Sequence, residues 1–451
     1  MKLRRHECKS TGGARRLTRG VLVTAVAGAS SLGVVGLTGP AGAAVTTGPA
    51  CQTPTPVTAT QASSTTGLTS KSVTVGNVSI LTGPVEGLFA GAPIGVAAYF
   101  DYLNSKGGVN GRKLRLDGYD DAFSGQANAS ETATAIAKDF ALVGSFSLFD
   151  NYGCKALAAN GAVPDVSVTL DPGTNSLPND FSADPLAQGA ATGPLQYLRT
   201  TYPKVVKVGS LVSNVSTATA QWQGEQAALQ KVGYKIAYYR PISPIETDFT
   251  TDIINMRNDG VQMVYMTGLD WQIAAAMVQA MTQQNWHPLL FSGGPVYADQ
   301  FISTAGGPSA VNGLWLGQTQ ALYLGQDAKT VPAVKTFLSW VQKAHPGFTP
   351  DLYTLFGWSS AQLFAQALQA AGKNPTRGAV LSQLKKIQAF NSSGLLAPAN
   401  PAKKLPPSCY VLAKIVNGTY QRVADPPNGG FRCDGVYWSV KGPLPSVTSA
   451  G

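Results

Sequence analysis

The chain has 451 residues, 44% of them hydrophobic and 13% charged, which is more apolar material than one small core uses and points to two globular lobes. Its net charge is +10, but residues 1–44 carry seven Lys/Arg against the single acid Glu7. The remaining +4 is spread thinly and excludes the concentrated basic face that a nucleic-acid binder needs.

Residues 1–44 read as an export signal. A basic stretch ends at Arg19, residues 21–37 form an apolar core, and small residues place cleavage near Ala43 or Ala44. Cys51 follows Gly48-Pro49-Ala50, which is not a lipidation box. Cys51, Cys154, Cys409 and Cys433 would remain after cleavage, an even number suited to an oxidising compartment. Of the three pairings they allow, the sequence favours Cys51–Cys154 and Cys409–Cys433. The second pair is close in sequence and flanks a predicted hairpin. Residues 45–71 are rich in Thr, Pro, Ser and Ala, lack periodicity and read as a tether.

From Ser72 onward strands and helices alternate. "SVTVGNVSIL" predicts a buried strand, and residues 92–106 a helix with Ile94, Ala97, Ala98, Phe100 and Leu103 near one face. "KLRLDGYD" is a strand, 126–140 a helix, "ALVGS" a strand, 152–162 a helix and "VPDVSV" a strand. Residues 184–202 predict a longer helix leading into a second lobe. There the alternation restarts with strands at 205–213, 235–242, 261–268 and 288–294, separated by helices. Such a series makes parallel sheets covered by helices on both faces, an α/β fold in two lobes. Three more helices follow, within 331–345, 352–372 and 376–388, and the end predicts a hairpin turning at Asn417-Gly418. The conspicuous stretch "NSKGGVNGRKLRLDGYDD" (104–121) reads as a helix stop, a turn and a strand ended by Asp120-Asp121.

Signatures of catalysis are missing. His6 lies in the signal, and His287 and His345 each precede a proline without joining a catalytic or metal-binding pattern. No phosphate-binding loop, nucleophile elbow, zinc-protease helix or dinucleotide fingerprint occurs. No cofactor is expected. What remains is position: in open α/β sheets ligands sit beyond the carboxyl ends of strands. The loops at 81–89, 145–151, 167–173, 212–217, 268–271 and 292–297 are rich in Ser, Thr, Gly and Asn with occasional aromatics, which suits a small-molecule cleft.

The segments "VTVGNVSILTGP", "YFDYLNSKGGVNGRKLRLDGYDDAFS" and "GAVPDVSV", with the later "VQMVYMTG" and "LFGWSSAQLFAQAL", make residues 72–440 resemble the type I periplasmic binding proteins of ABC transporters, in the Leu/Ile/Val-binding group. The resemblance implies two Rossmann-like lobes joined by three hinge crossovers and closing on a solute. It implies delivery to a membrane permease, without chemistry. On that pattern residues 72–191 and 314–396 build the first lobe, and 192–313 and 397–445 the second. The protein is expected to be an exported monomer that binds a small-molecule solute, not nucleic acid. A sensor of the same fold, or an exported α/β hydrolase, are the alternatives.

The same resemblance implies a set of ligand-binding residues. Leu88 or Phe89 falls at an aromatic lid position. Ser145, Phe146, Ser147 and Phe149 lie in the loop that holds a ligand carboxylate, and Ser167 and Thr169 in the next loop. Thr217, Leu269, Asp270 and Trp271 belong to the second lobe, and Trp358 is a further aromatic position. Two departures count against a branched-chain amino acid. Ser292-Gly293-Gly294-Pro295 supplies no acid for a ligand ammonium, and the "SFSLFDN" loop is bulkier than the usual Ser/Thr-rich one. Asp150, Asp171 or Asp270 would have to substitute. An uncharged, apolar or aromatic-containing solute fits better.

Overall fold

A computed structural model describes residues 51–440, apart from 86, 187–188, 425 and 427–429. The predicted export signal, its cleavage point and the first part of the tether lie outside these residues, as does the end of the second lobe beyond 440.

The first lobe is built on strands β1 (Ser72–Ser79), β2 (Lys113–Asp120), β3 (Leu142–Val143), β4 (Asp165–Val166) and β5 (Asp180–Phe181), in the order β2-β1-β3-β4-β5 and all parallel. The chain next forms β6 (Gly189–Ala191), then β7 (Lys207–Ser213), β8 (Lys235–Ile242), β9 (Met263–Met266), β10 (Leu289–Ser292) and β11 (Trp315–Gln318). Near its end come β12 (Val411–Val416), β13 (Thr419–Arg422) and β14 (Tyr437–Ser439). The second sheet runs β13-β12-β11-β10-β9-β7-β8. Its parallel part, β8-β7-β9-β10-β11, repeats the strand order of the first lobe. Each sheet therefore has a switch point beside its first strand, where the loops part and leave a crevice.

The apolar pattern of β1 explains its central place: Val73, Val75 and Val78 are buried between neighbours on both sides. Helix Gly91–Ser105 crosses helix Leu352–Ala370, which returns from far along the chain. The crossing is close because glycine faces backbone on both sides. A Cβ on Gly95 would lie 1.9 Å from the Thr354 carbonyl oxygen, and one on Gly357 would lie 2.0 Å from that of Ala92. Arg377 fastens the same returning segment by donating to the carbonyls of Ile136, Asp139 and Phe140. At the far end, Asn417 (φ 49°) and Gly418 (φ 75°) make the left-handed turn that joins β12 to β13, as the Asn-Gly pair predicts.

Both expected disulfides form, Cys51–Cys154 and Cys409–Cys433. Three local expectations change. The tether is not loose where it is described. Thr55 bonds the Ala158 carbonyl, Thr58 and Gln61 form a capping box on a short helix at Ala59–Ala62, and the Thr74 amide bonds the Gly67 carbonyl. The long helix predicted over 184–202 is only Gly193–Thr201. Pro194 suits a first helical turn, and β6 just before it is held in a two-stranded antiparallel sheet with β14. The boundary at 314 also moves. Trp315–Gln318 pairs with β10 and β12, so the chain leaves the second sheet after Gln318.

Candidate functional site

The carboxyl-end loops of the two sheets border a partly open cavity of about 280 Å³. Its first-lobe wall is a packed aromatic group. Phe89 meets Phe146 at 4.7 Å and Tyr353 at 4.5 Å between ring centroids, Phe146 meets Tyr353 at 4.9 Å, and Phe356 stacks on Phe146 at 6.0 Å. Phe89 meets both of its partners edge-to-face, as ring quadrupoles favour. Tyr353 and Phe356 sit three residues apart on helix Leu352–Ala370, which puts both on the cleft side. Leu88, Phe123, Leu148 and Leu170 complete this wall.

The hydroxyls expected beside them are turned away from the cavity. Ser145 Oγ accepts from the Val78 amide at 3.0 Å. Ser147 donates to Asp121 and accepts from the Phe149 amide. Ser167 donates to Asp165 and Thr169 to Asp180, both at 2.6 Å. Asp121, Asp165 and Asp180 are all buried, and burial pushes their carboxyls upward. Hydroxyls so placed stabilise buried acids and set the loops. They do not line the cleft. A much smaller void of about 30 Å³, lined by Ser145, Ser147, Ser167 and Thr169 among others, lies beneath those loops instead.

Other expected residues separate in the same way. Leu88, Phe89, Phe146, Thr217, Leu269 and Asp270 line the cavity; Phe149, Trp271 and Trp358 do not. Phe149 packs on Phe123 and Tyr152. Trp271 is the first residue of helix Trp271–Gln283, half-buried against the core, while Asp270 caps that helix by accepting from the Gln272 and Ile273 amides. Trp358 is 3% exposed and packs among Tyr99, Tyr102 and Phe337. It lies on the face of its helix opposite to the one carrying Phe356. Asp150, one proposed substitute acid, instead accepts from the Leu170 and Asp171 amides, and Asp171 caps the short helix at Pro172–Asn175.

The second-lobe wall is of a different kind. Thr217, Gln221 and Glu225 follow one another at four-residue spacing on helix Ser216–Val232 and all line the cavity. Thr217 touches the first lobe by donating to the Leu148 carbonyl at 3.3 Å. Gln221 donates to Glu225 Oε1 at 3.0 Å and to Thr267 Oγ1 at 3.1 Å. Tyr265, Phe291, Gly317 and Gln318 form the floor, and Tyr410 and Tyr437 the far side. Tyr437 arrives on β14, and Tyr410 follows Cys409, so the Cys409–Cys433 bond holds this end together. Asp184 also lines the cavity and accepts from Thr319 at 2.6 Å, joining two of the strands of chain that cross between lobes. Burial raises Asp184 to about 6 and Glu225 to about 7. No Lys or Arg lines the cavity among the described residues.

Among the described residues no His, Cys or Lys lines the cavity. His287 and His345 are exposed on the surface. Among the described residues no group of three or more His, Cys, Asp or Glu is placed to hold a metal, and no helix is long and apolar enough to cross a membrane.

Comparison with known proteins agrees with this architecture. A family model described as periplasmic binding protein matches residues 72–419. An amino acid binding protein of Pseudomonas aeruginosa is 26% identical over 283 residues, covering 60% of this chain and 71% of that protein. The Leu/Ile/Val-binding protein homolog 1 of Brucella suis is 25% identical over 303 residues, covering 65% and 77%. A fatty acid ABC transporter substrate-binding protein from Thermomonospora curvata superposes with a TM-score of 0.68 at 18% identity, covering 79% of this chain and 92% of that one. A branched-chain amino acid ABC transporter protein from Thermus thermophilus with bound valine gives 0.68 at 16%, covering 80% and 97%. These relatives and neighbours are solute-binding proteins, not enzymes. The chain belongs to the periplasmic binding protein family.

Proposed function

We propose that this chain is the exported solute-binding component of an ABC importer, and that its solute is a largely apolar organic molecule with a flat or aromatic body and no free carboxylate. The observation that carries this reading is the first-lobe wall. Phe89, Phe146, Tyr353 and Phe356 face the cavity, while the hydroxyls of Ser145, Ser147, Ser167 and Thr169 are engaged elsewhere.

The relatives are named for amino acids and one structural neighbour for fatty acids. Either ligand would be poorly served here. An amino acid could set its ammonium against Glu225 or Asp270, but its carboxylate would find no lining cation among the described residues, and the first-lobe loop hydroxyls are engaged elsewhere. A fatty acid carboxylate would enter a cavity that holds Asp184 and Glu225 and no lining cation among the described residues. Burying an uncompensated charge costs several kcal/mol in either case. An apolar solute with a neutral or donor-bearing end avoids both costs. Two disulfides support an oxidising, exported location, and capture followed by release to a permease needs only lobes that part and close.

The test is a thermal-shift screen of the full chain against branched-chain and aromatic amino acids, medium-chain fatty acids, and aromatic amides and alcohols. A ligand that binds only the folded state raises the melting temperature. Stabilisation by aromatic amides or alcohols alone is the expected result. Stabilisation by leucine, isoleucine or valine at micromolar concentration would overturn the solute class.

A further inference from the structure

Helix Ser216–Val232 carries a polar stripe where a buried helix face normally carries apolar residues. Thr217 stands where the two lobes meet, and Glu225 lies eight residues further on. At 1.5 Å per residue that is about 12 Å deeper into the second lobe. The cavity follows the stripe down: Gln221, Glu225 and Tyr265 all line it.

Glu225 is 6% exposed, and its neighbours on the same helix, Trp222, Ala228 and Leu229, are buried apolar groups. A carboxyl in such a place is costly unless its oxygens are satisfied. Oε1 is satisfied by Gln221 at 3.0 Å. Oε2 is buried and has no hydrogen-bond partner among the described residues. The Thr267 and Tyr265 hydroxyls lie close to the carboxyl and favour its charged form, yet Oε2 itself is left without a hydrogen bond. Across the floor, Gln318 also lines the cavity and presents a second buried acceptor, Oε1, without a donor. Two unpaired acceptors describe a place for a hydrogen-bond donor from outside the chain, and Gln320 Nε2, a buried donor without a partner that also lines the cavity, can meet an acceptor carried beside it, as in an amide.

We propose that Glu225, steadied by Gln221 and joined by Gln318, is the specificity-determining end of the cavity and receives a donor group of the solute: an amide N–H, an alcohol O–H or an amine. This rests on the solute-binding reading above and deepens it. The solute lies with its flat body against the aromatic wall of the first lobe and its donor end inside the second. The group is distinct from the loop at Ser292–Pro295, which follows β10 and carries no acid.

The probes are 4-phenylbutanamide, 4-phenylbutan-1-amine and 4-phenylbutanoate, which share one body and differ at the end. Affinities are measured by calorimetry on the full chain, on Glu225→Gln and on Glu225→Leu, with apo melting temperatures recorded to confirm folding. The wild type is expected to bind the amide and the amine at least about tenfold more tightly than the carboxylate. Glu225→Leu is expected to erase that preference and retain the carboxylate. Glu225→Gln is expected to weaken the amine most and keep the amide within a few-fold, since the Gln carbonyl still accepts. Equal weakening of all three probes in both variants would make Glu225 a structural residue and overturn the proposal while leaving the solute-binding reading intact. An unchanged preference in Glu225→Leu would overturn it in the same way. Failure of every probe to bind the wild type would overturn the apolar-solute reading and this proposal together.

Discussion

The two walls of the cavity are made differently, although the two lobes repeat one strand order. In the first lobe the loop hydroxyls are paired with buried acids, Ser147 with Asp121, Ser167 with Asp165 and Thr169 with Asp180, and these loops turn only rings and aliphatic groups toward the cavity, the acceptors left over there, such as Asp150 Oδ1, lying behind them. In the second lobe the stripe Thr217, Gln221 and Glu225 faces inward with one acceptor left over, Glu225 Oε2, and Gln318 Oε1 adds another. A satisfied polar network fixes shape, and an unsatisfied one invites a partner. The first lobe thus supplies a surface that selects by form, and the second supplies the groups that select by chemistry.

The largest expected effect separates aromatic rings that face the cavity from those that do not. Phe146→Ala and Trp358→Ala each remove a large buried ring and each should lower stability by about 3–5 kcal/mol in a denaturant titration. Only Phe146→Ala should also weaken binding of an aromatic solute; a loss of affinity with Trp358→Ala would return that residue to the site. Next comes the bond behind the second wall. Replacing Cys409 and Cys433 together by Ala opens a loop whose ends are 24 residues apart and should cost about 3 kcal/mol. Solute affinity should fall with it, because Tyr410 and Tyr437 lose their common anchor. Affinity held at the wild-type level would show that this end of the cavity does not touch the solute.

A smaller effect tests the buried acid of the second lobe. Burial raises Glu225 from 4.5 to about 7 in the folded protein, so the folded state holds its proton where the unfolded state has released it. Its destabilising contribution is absent below the unfolded value and grows as pH rises toward 7, where it levels off. Between pH 5 and 8 it should amount to about 2 kcal/mol. Glu225→Gln should therefore melt higher than the wild type at pH 8 and nearly level with it at pH 5; parallel pH profiles would contradict the assignment. The smallest effect concerns contact between the walls. Thr217→Val removes the hydrogen bond to the Leu148 carbonyl and should weaken solute binding by about 1 kcal/mol, with little change in the melting temperature of the free protein.

Much of the fold is legible in the sequence because alternation between strand and helix periods survives in nearly every segment. The failure at 184–202 has a local cause: a helical apolar pattern continues through Gly189 and Pro194, but the first part pairs with β14, more than 240 residues away. Long-range pairing leaves no mark on short windows. The site is less legible. Ser145, Ser147, Ser167 and Thr169 sit in the right loops, yet whether a hydroxyl points at a ligand or at a buried aspartate depends on a partner elsewhere in the chain. Trp358 is on the correct helix at the wrong phase, two residues beyond Phe356 and so turned by about 200°. Glu225 did carry a signal. Thr, Gln and Glu at four-residue intervals on a helix with Trp222 and Leu229 buried form a polar line that a structural helix does not require.

The central claim is that this cavity holds an apolar solute with a donor end and not an amino acid. It is tested most directly by calorimetric titration of the full chain with 4-phenylbutanamide and, separately, with L-leucine. The account predicts saturable one-to-one binding of the amide and no detectable heat from leucine. Tight one-to-one binding of leucine, with none of the amide, would contradict it.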